Sequence, residues 1–386
     1  VKTRFNSKWY RLKINNIVMK KYKVSSKQKY LLLNIIDFLG SIIFFIPNIF
    51  SCKKLDNNKV ENILITRLDN IWDMVLTTSF IKNIKYNFPN SKITILCRPC
   101  QVNIIKENNN IDNIIKYDAF WFWWKDWIWK LLKMIKQNYK TFDLSFELHW
   151  EIISNTTNYL ISKYRVWFSI RWWSFLLNKS LYFDWNEEKS IVKHQYKQIK
   201  SIWWEIKSDK LELFIDKNLK TINKEKNKIN IIIHTWVSVK TREYPILKWI
   251  SLIEKIKGKY NILIIDTDNK KLNIFKNKWY ETYTPKSINE LIKLISDFDL
   301  LIGLESLSSH IAAAINTPLI SLYSATTPKE LFYPYWENIT VLRYNKCTKN
   351  NCWLSKCPFW YPSKCMENIS NDDIMSNIEK SLKKRD

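Results

Sequence analysis

The apolar positions of this chain fall into short continuous runs that alternate with segments of helical spacing. "NILIT" (62–66) is a run of strand length. "MVLTTSFIKNIKYNF" after it repeats its apolar residues at three- and four-residue intervals, with Pro89 just beyond. "KITILC" and a short run in "IDNIIKYD" read as strands, "WIWKLLKMIKQNY" as a helix, and "FDLSFEL" and "YRVWFS" as strands again. The alternation then repeats. "INIIIHT", "NILIID", "LLIGLES" and "LISLYS" read as strands, separated by the helical patterns "PILKWISLIEKIKGKY", "SINELIKLISDFD" and "SHIAAAINT". Ser287 with Glu290 three residues later forms a capping-box pattern, and "SNDDIMSNIEKSLKK" reads as a terminal helix. Strands alternating with helices predict parallel sheets. Two such series in tandem predict an α/β chain of two domains facing across a cleft, lined by strand C-terminal ends and helix N-termini. The pattern places the domains at 59–217 and 231–345. The charged segment 218–230 links them, and a cysteine-rich segment and terminal helix fill 346–386.

Residues 1–58 stand apart. Residues 1–30 hold ten basic residues and no acidic one, followed by "YLLLNIIDFLGSIIFFIPNIF". Asn34, Asp37 and Pro47 interrupt that apolar stretch, whereas a clean crossing needs about 20 predominantly apolar residues. The pattern predicts an extension that associates with a membrane surface, peripheral or monotopic. A helix packed on the protein's own body and a single crossing are the other readings. The formal net charge of +26 points to an anionic partner: a phosphorylated small molecule, a membrane surface or a nucleic acid. No signal-peptide pattern opens the sequence, so a reducing cytoplasmic setting is expected.

Composition adds an anomaly. The chain has 3 glycines and 20 tryptophans, where ordinary usage of about 7% glycine would give roughly 27. An AT-rich genome explains abundant Lys, Asn and Ile, but not tryptophan pairs such as Trp172–Trp173 and Trp203–Trp204. Trp72 lies where a strand turns into a helix, a place that usually takes a small residue. These observations suggest that UGA is decoded as glycine and written here as tryptophan.

Three stretches resemble one family, the heptosyltransferases of glycosyltransferase family 9, which act in lipopolysaccharide assembly. They are "ILITRLDNIWDMVLTTSFIKNIKYNFPNSKITILCRP", "IIIHTWVSVKTREYP" and "LLIGLESLSSHIAAAINTPLISLYSATTP". Their order and spacing carry the resemblance over about residues 60 to 345. It implies the GT-B fold, two Rossmann-like domains facing across a cleft, here with the basic and apolar N-terminal extension. Trp72 and Trp236 stand where the family keeps glycine, and "RVWFSIRWWSFLL" reads naturally with glycine at 167, 172 and 173. Leu307 stands where the family usually has glycine, and Glu305 where it usually has aspartate.

The resemblance implies an inverting transfer from a nucleotide-sugar donor, foremost ADP-heptose, to a lipopolysaccharide-like or other anionic glycolipid at the cytoplasmic face of the inner membrane. Asp73 is then the catalytic base, its plainer alternative being a cap for a helix beginning near Met74. Arg242 matches a family lysine and would neutralise the departing pyrophosphate, with Lys240 as a nearby second cation; the alternative is a solvated basic loop. Glu305, Ser306, Ser308, Ser309 and His310 form the donor-binding strand–helix junction. Arg67, and Glu147 and His149 at a strand end, are candidate acceptor contacts. Cys347, Cys352, Cys357 and Cys365 lack a clean C-x-x-C spacing, yet four thiols in one segment could hold a structural zinc or other metal; reduced, partly buried thiols are the alternative. No cofactor is expected for catalysis. Two other functions compete: a nucleic-acid-binding protein, for which no zinc-finger, RRM or basic-helix pattern appears, and a membrane-associated protein that kept the fold without the chemistry.

Overall fold

In the computed structural model of the protein, the described residues are 55–117, 127–149, 152–168, 174–181, 190–216 and most of 218–383, with residues 13, 14, 17, 18, 31, 34, 35, 38–40, 42 and 43 before them. Trp172 and Trp173 lie outside the described residues.

Two parallel six-stranded sheets form the body. The first contains β1 (Asn62–Arg67), β2 (Lys92–Cys97), β3 (Asn113–Lys116), β4 (Phe142–Glu147), β5 (Ser162–Phe168) and β6 (Lys179–Leu181), in spatial order β3-β2-β1-β4-β5-β6. The second contains β7 (Asn230–His234), β8 (Asn261–Ile265), β9 (Thr282–Tyr283), β10 (Leu300–Leu304), β11 (Leu319–Tyr323) and β12 (Ile339–Arg343), in order β9-β8-β7-β10-β11-β12. Each sheet thus has the doubly wound order 3-2-1-4-5-6, which opens a crevice where the winding reverses. In the first sheet that point lies between β1 and β4, paired with Thr66 opposite Glu147. In the second it lies between β7 and β10.

The strands read as apolar runs because both sheet faces are covered. Helix α1 (Ile71–Asn87) packs on one face of the first sheet. Helices α2 (Trp127–Gln137) and α3 (Ile152–Ile161) cover the other, where Met134 and Ile161 meet Leu64, Leu96 and Phe142. Helix α4 (Ile191–Lys200) packs beside α1. The second domain has α5 (Ile246–Ile256), α6 (Asn269–Lys276), α7 (Ile288–Asp297), α8 (Leu307–Ala314) and α9 (Asn371–Leu382). Ser287 caps α7 as its sequence predicts, its hydroxyl accepting the Glu290 N–H at 3.1 Å. The segment after α4 runs along α1: Asn83 accepts the Lys207 N–H at 2.7 Å, and Thr78 accepts that of Glu212 at 3.0 Å.

The structure corrects the reading of the first turn. Helix α1 begins at Ile71 with Asn70 at its N-cap, not near Met74. Asp73 is therefore the third residue of the helix and not its cap. Trp72 has ordinary helical backbone and is not among the positive-φ residues, so the backbone there does not require glycine. Two other tryptophans hold a backbone conformation that favours glycine. Trp203 (φ 68°) and Trp279 (φ 63°) are left-handed, a genuine outlier for a bulky residue. Trp279 closes α6 in a Schellman arrangement: its N–H bonds the Lys276 carbonyl at 2.9 Å, and the Tyr280 N–H bonds that of Phe275 at 3.3 Å. Neither indole packs on anything substantial, for Trp203 is 91% and Trp279 95% exposed.

Candidate active site

The two winding-reversal points bring most of the sequence-predicted residues together. In the first domain, Arg67 ends β1 and is 2% exposed. Its Nη2 donates to Asp73 Oδ1 at 2.6 Å, its Nε lies 2.8 Å from Asp69 Oδ1, and its Nη1 donates to the Leu148 carbonyl. One guanidinium thus serves two carboxylates from the loop and first helical turn that follow it. Burial drives the Asp73 carboxyl above its ordinary range, against the opposing pull of Arg67. Burial drives Asp69 well above it, again opposed by Arg67, with the neighbouring Asp73 adding to the rise. The Asp69 side chain keeps 17% exposure, so solvent tempers that rise. Where one cation meets two acids, one acid of the pair takes a proton readily. Arg67 holds Asp73 by a hydrogen bond and Asp69 by a charge contact.

Glu147 ends β4 and points inward. Its Oε1 accepts the His149 N–H at 2.9 Å and the Ser154 hydroxyl at 2.7 Å, and desolvation raises its carboxyl well above the ordinary range. With 1% exposure it shapes the β4 turn from behind. His149 is also buried.

In the second domain, Glu305 follows β10 and is buried. Its Oε1 lies 3.3 Å from Arg242 Nη1 and accepts the Thr327 hydroxyl at 3.1 Å. Arg343 holds the same loop from β12, donating to the Thr327 and Ser324 carbonyls at 2.9 and 3.2 Å. Desolvation raises the Glu305 carboxyl while Arg242 opposes it. Glu305 is therefore a counter-ion that positions the Arg242 guanidinium. Lys240 is exposed, in the same single-turn 3-10 helix as Arg242.

Ser306 stands at the N-cap of α8, but its hydroxyl makes no cap bond. It contacts Ser308 at 2.9 Å, and Ser308 contacts His234 Nδ1 at 2.6 Å. Ser309 turns back into the sheet, donating to the Leu304 carbonyl at 2.7 Å and meeting Ser321 at 3.0 Å. The expected donor role of Ser309 is thus met by a structural one: the hydroxyl is already committed. Burial lowers His234 to about 4 and His310 to about 3, so both rings are neutral near neutral pH.

The two halves meet at helix starts. Helix α8 packs against α1. The Trp72 indole in the first turn of α1 stacks on His310 in the first turn of α8, centroids 5.3 Å apart and 18° between planes, with Phe332 edge-on at 5.0 Å. Two helix N-termini, each with a partial positive charge, therefore converge beside Asp73 and Arg242. That arrangement suits a phosphorylated ligand next to a carboxylate able to take a proton.

Three participants carry no sequence signal of their own. Asp69 is an aspartate in a loop like many others. Arg343 and Thr327 come from segments far along the chain and reach Glu305 only through the fold.

Cys347, Cys352, Cys357 and Cys365 do come together, lining one cavity with Thr241, Thr326 and Phe359. Among the described residues, no three His, Cys, Asp or Glu side chains stand as a metal-ligand set. The thiols as placed do not form the metal clip considered from their sequence, and they match the alternative of reduced, partly buried thiols. The segment braces the second domain. The Ser363 hydroxyl donates to the Thr241 carbonyl at 2.8 Å, and the Asn351 N–H to that of Ala325 at 2.7 Å.

The model of the glycosyltransferase family 9 (heptosyltransferase) matches residues 174–359. Lipopolysaccharide heptosyltransferase 1 of Campylobacter coli is 28% identical over 229 residues, 53% of this chain and 58% of that protein. Lipopolysaccharide heptosyltransferase 3 of Escherichia coli is 51% identical over 49 residues, 13% of this chain and 14% of that one. The chain is thus similar to the heptosyltransferases of glycosyltransferase family 9. Its matches span less than two thirds of either of these relatives. The GT-B fold of the family is present throughout the body. The solved E. coli heptosyltransferase WaaC with ADP is 14% identical, covers 83% of this chain and 99% of its own, and superposes with a TM-score of 0.66.

Proposed function

We propose that this protein is an inverting glycosyltransferase that moves heptose from ADP-heptose to a lipopolysaccharide-like or other anionic glycolipid. The observation that carries the reading is the pairing across the cleft: Asp73 held by Arg67 on one side, Arg242 held by Glu305 on the other. In this mechanism Asp73 takes the proton of the acceptor hydroxyl as that oxygen attacks the sugar. Arg242 and the α8 start stabilise charge growing on the leaving diphosphate. Arg67 positions the base and balances its charge. The extension of residues 1–58 holds the enzyme at the cytoplasmic face of the inner membrane, where a glycolipid acceptor would lie. Arg242→Ala should weaken ADP-heptose binding and turnover together, because the cation acts in both ground and transition states. Calorimetric titration with ADP-heptose, beside a turnover assay, checks this. Unchanged donor affinity would place the diphosphate elsewhere.

The reading of UGA as glycine belongs to the same proposal. Trp203 and Trp279 hold left-handed backbone, and none of the three written glycines does. Trp167 and Trp249 are buried with indole N–H groups that have no hydrogen-bond partner. At position 72 glycine would remove the indole that fills the space between α1 and His310, opening room beside Asp73. Peptide mass spectrometry of protein from its native host should show glycine at 72 and 279. Tryptophan mass at both positions would refute it.

A further inference from the structure

The residues described as helical between 31 and 43 show an inverted pattern. Leu31, Ile35, Phe38, Leu39, Ile42 and Ile43 are all exposed, from 46% at Ile35 to 67% at Ile43. Their spacing puts them on one side of a helix. Gly40, on the opposite side, is buried, and a Cβ there would overlap the Phe175 ring. The polypeptide backbone therefore lies close against the N-terminal domain while the apolar stripe faces outward. A helix that merely completed the core would turn the stripe the other way. No helix among the described residues is long and apolar enough to cross a membrane.

Helix α2 repeats the device. Ile128 and Leu132 are 46% and 49% exposed, one helical turn apart, while Met134 goes to the core. Lys130, Lys133 and Lys136 are exposed around them, and the helix carries no acidic residue. The two faces belong to one connected layer: α2 packs on α3, and α3 on the turn Ser174–Leu176, whose Phe175 meets Gly40.

We infer that this layer is a two-point membrane-docking surface, in which the 31–43 stripe and the Ile128–Leu132 face of α2 enter the interface of an anionic bilayer together. It deepens the membrane attachment proposed above, adding a second contact that fixes orientation. The charge selects the occupant. The α2 lysines and the ten basic residues of 1–30 complement anionic head groups and would repel a second copy of the same face. With both points engaged, the N-terminal domain rests on the surface by its α2–α3 side.

The test is co-sedimentation of the full chain with phosphatidylglycerol-containing vesicles and with pure phosphatidylcholine vesicles. Three variants are compared: Leu31→Ser/Phe38→Ser/Ile42→Ser, Ile128→Ser/Leu132→Ser, and Lys130→Glu/Lys133→Glu/Lys136→Glu. Every substituted side chain is exposed, so unchanged melting should accompany each. The expected result is preferential binding to the anionic vesicles, weakened roughly tenfold or more in each variant by loss of interfacial burial or attraction. Binding lost in the first variant but normal in both α2 variants would overturn the two-point inference and leave a single N-terminal anchor. Normal binding in all three would remove the attachment itself. Equal binding to neutral vesicles, or variants that change the oligomeric state without lipid, would assign the face to another occupant.

Discussion

Asp73→Asn should lower turnover by about 100-fold to 10,000-fold, the usual worth of a general base. The expectation holds for protein that carries glycine at the positions proposed above to be recoded. Asparagine keeps an oxygen for Arg67 Nη2, now 2.6 Å from Asp73 Oδ1, so the loop should hold its shape. Donor affinity should be nearly unchanged, because Arg242 and the α8 start, proposed to hold the donor, lie on the second domain. The pH profile adds a second signature. Burial raises the Asp73 carboxyl, so the rate should climb through a pKa above the ordinary carboxylate range as the base ionises. The variant should lose that limb. Circular dichroism must first show the variant folded. If a folded variant turns over normally, Asp73 leaves the mechanism. Asp69 is then the next carboxylate to test, because Glu147 is buried and already bonded to His149 and Ser154.

Arg67→Met should have the largest effect on stability. Arg67 is fully buried and contacts two carboxylates directly, with Glu147 close enough to feel its charge. Its removal leaves acids with no buried cation, a change that costs about 3–5 kcal/mol when one partner of a buried pair is deleted. Urea denaturation near neutral pH measures it. Lowering the pH should recover part of the loss, since protonated carboxyls no longer need a counter-charge. Adding Asp69→Asn should also recover part. A variant as stable as the parent would mean that solvent, not Arg67, balances these acids.

Much of the architecture was legible because parallel strands covered on both faces must be apolar throughout. Ile231–Ile233 and Leu300–Leu304 have no polar side to confuse the reading. Helix α3 was missed for the opposite reason. Its Ser154, Asn155, Thr157 and Asn158 are polar yet buried, and they break the apolar spacing that marks a helix. The fold uses them: Ser154 bonds Glu147, and Asn158 accepts the Thr66 hydroxyl at 2.7 Å. The candidate site divides in the same way. Residues next to a strand end, such as Arg67, Asp73 and Glu305, were marked by the family resemblance of the stretches that hold them. Their partners Asp69, Thr327 and Arg343 were not, because only tertiary packing brings Thr327 to Glu305 and Arg343 to the loop that holds it. The glycine question shows the limit of local reasoning most sharply. Trp72 drew notice as a turn residue but is helical, whereas Trp279, unremarkable in sequence, carries the left-handed backbone.

Sugar transfer at this cleft is tested most directly by the mass of an acceptor glycolipid after incubation with ADP-heptose and the purified protein. The expected product is heavier by one heptosyl unit, formed by the protein and abolished to near background by Asp73→Asn. No nucleotide-sugar consumption across a panel of donors and acceptors, together with tight, salt-dependent binding of RNA or DNA, would contradict it.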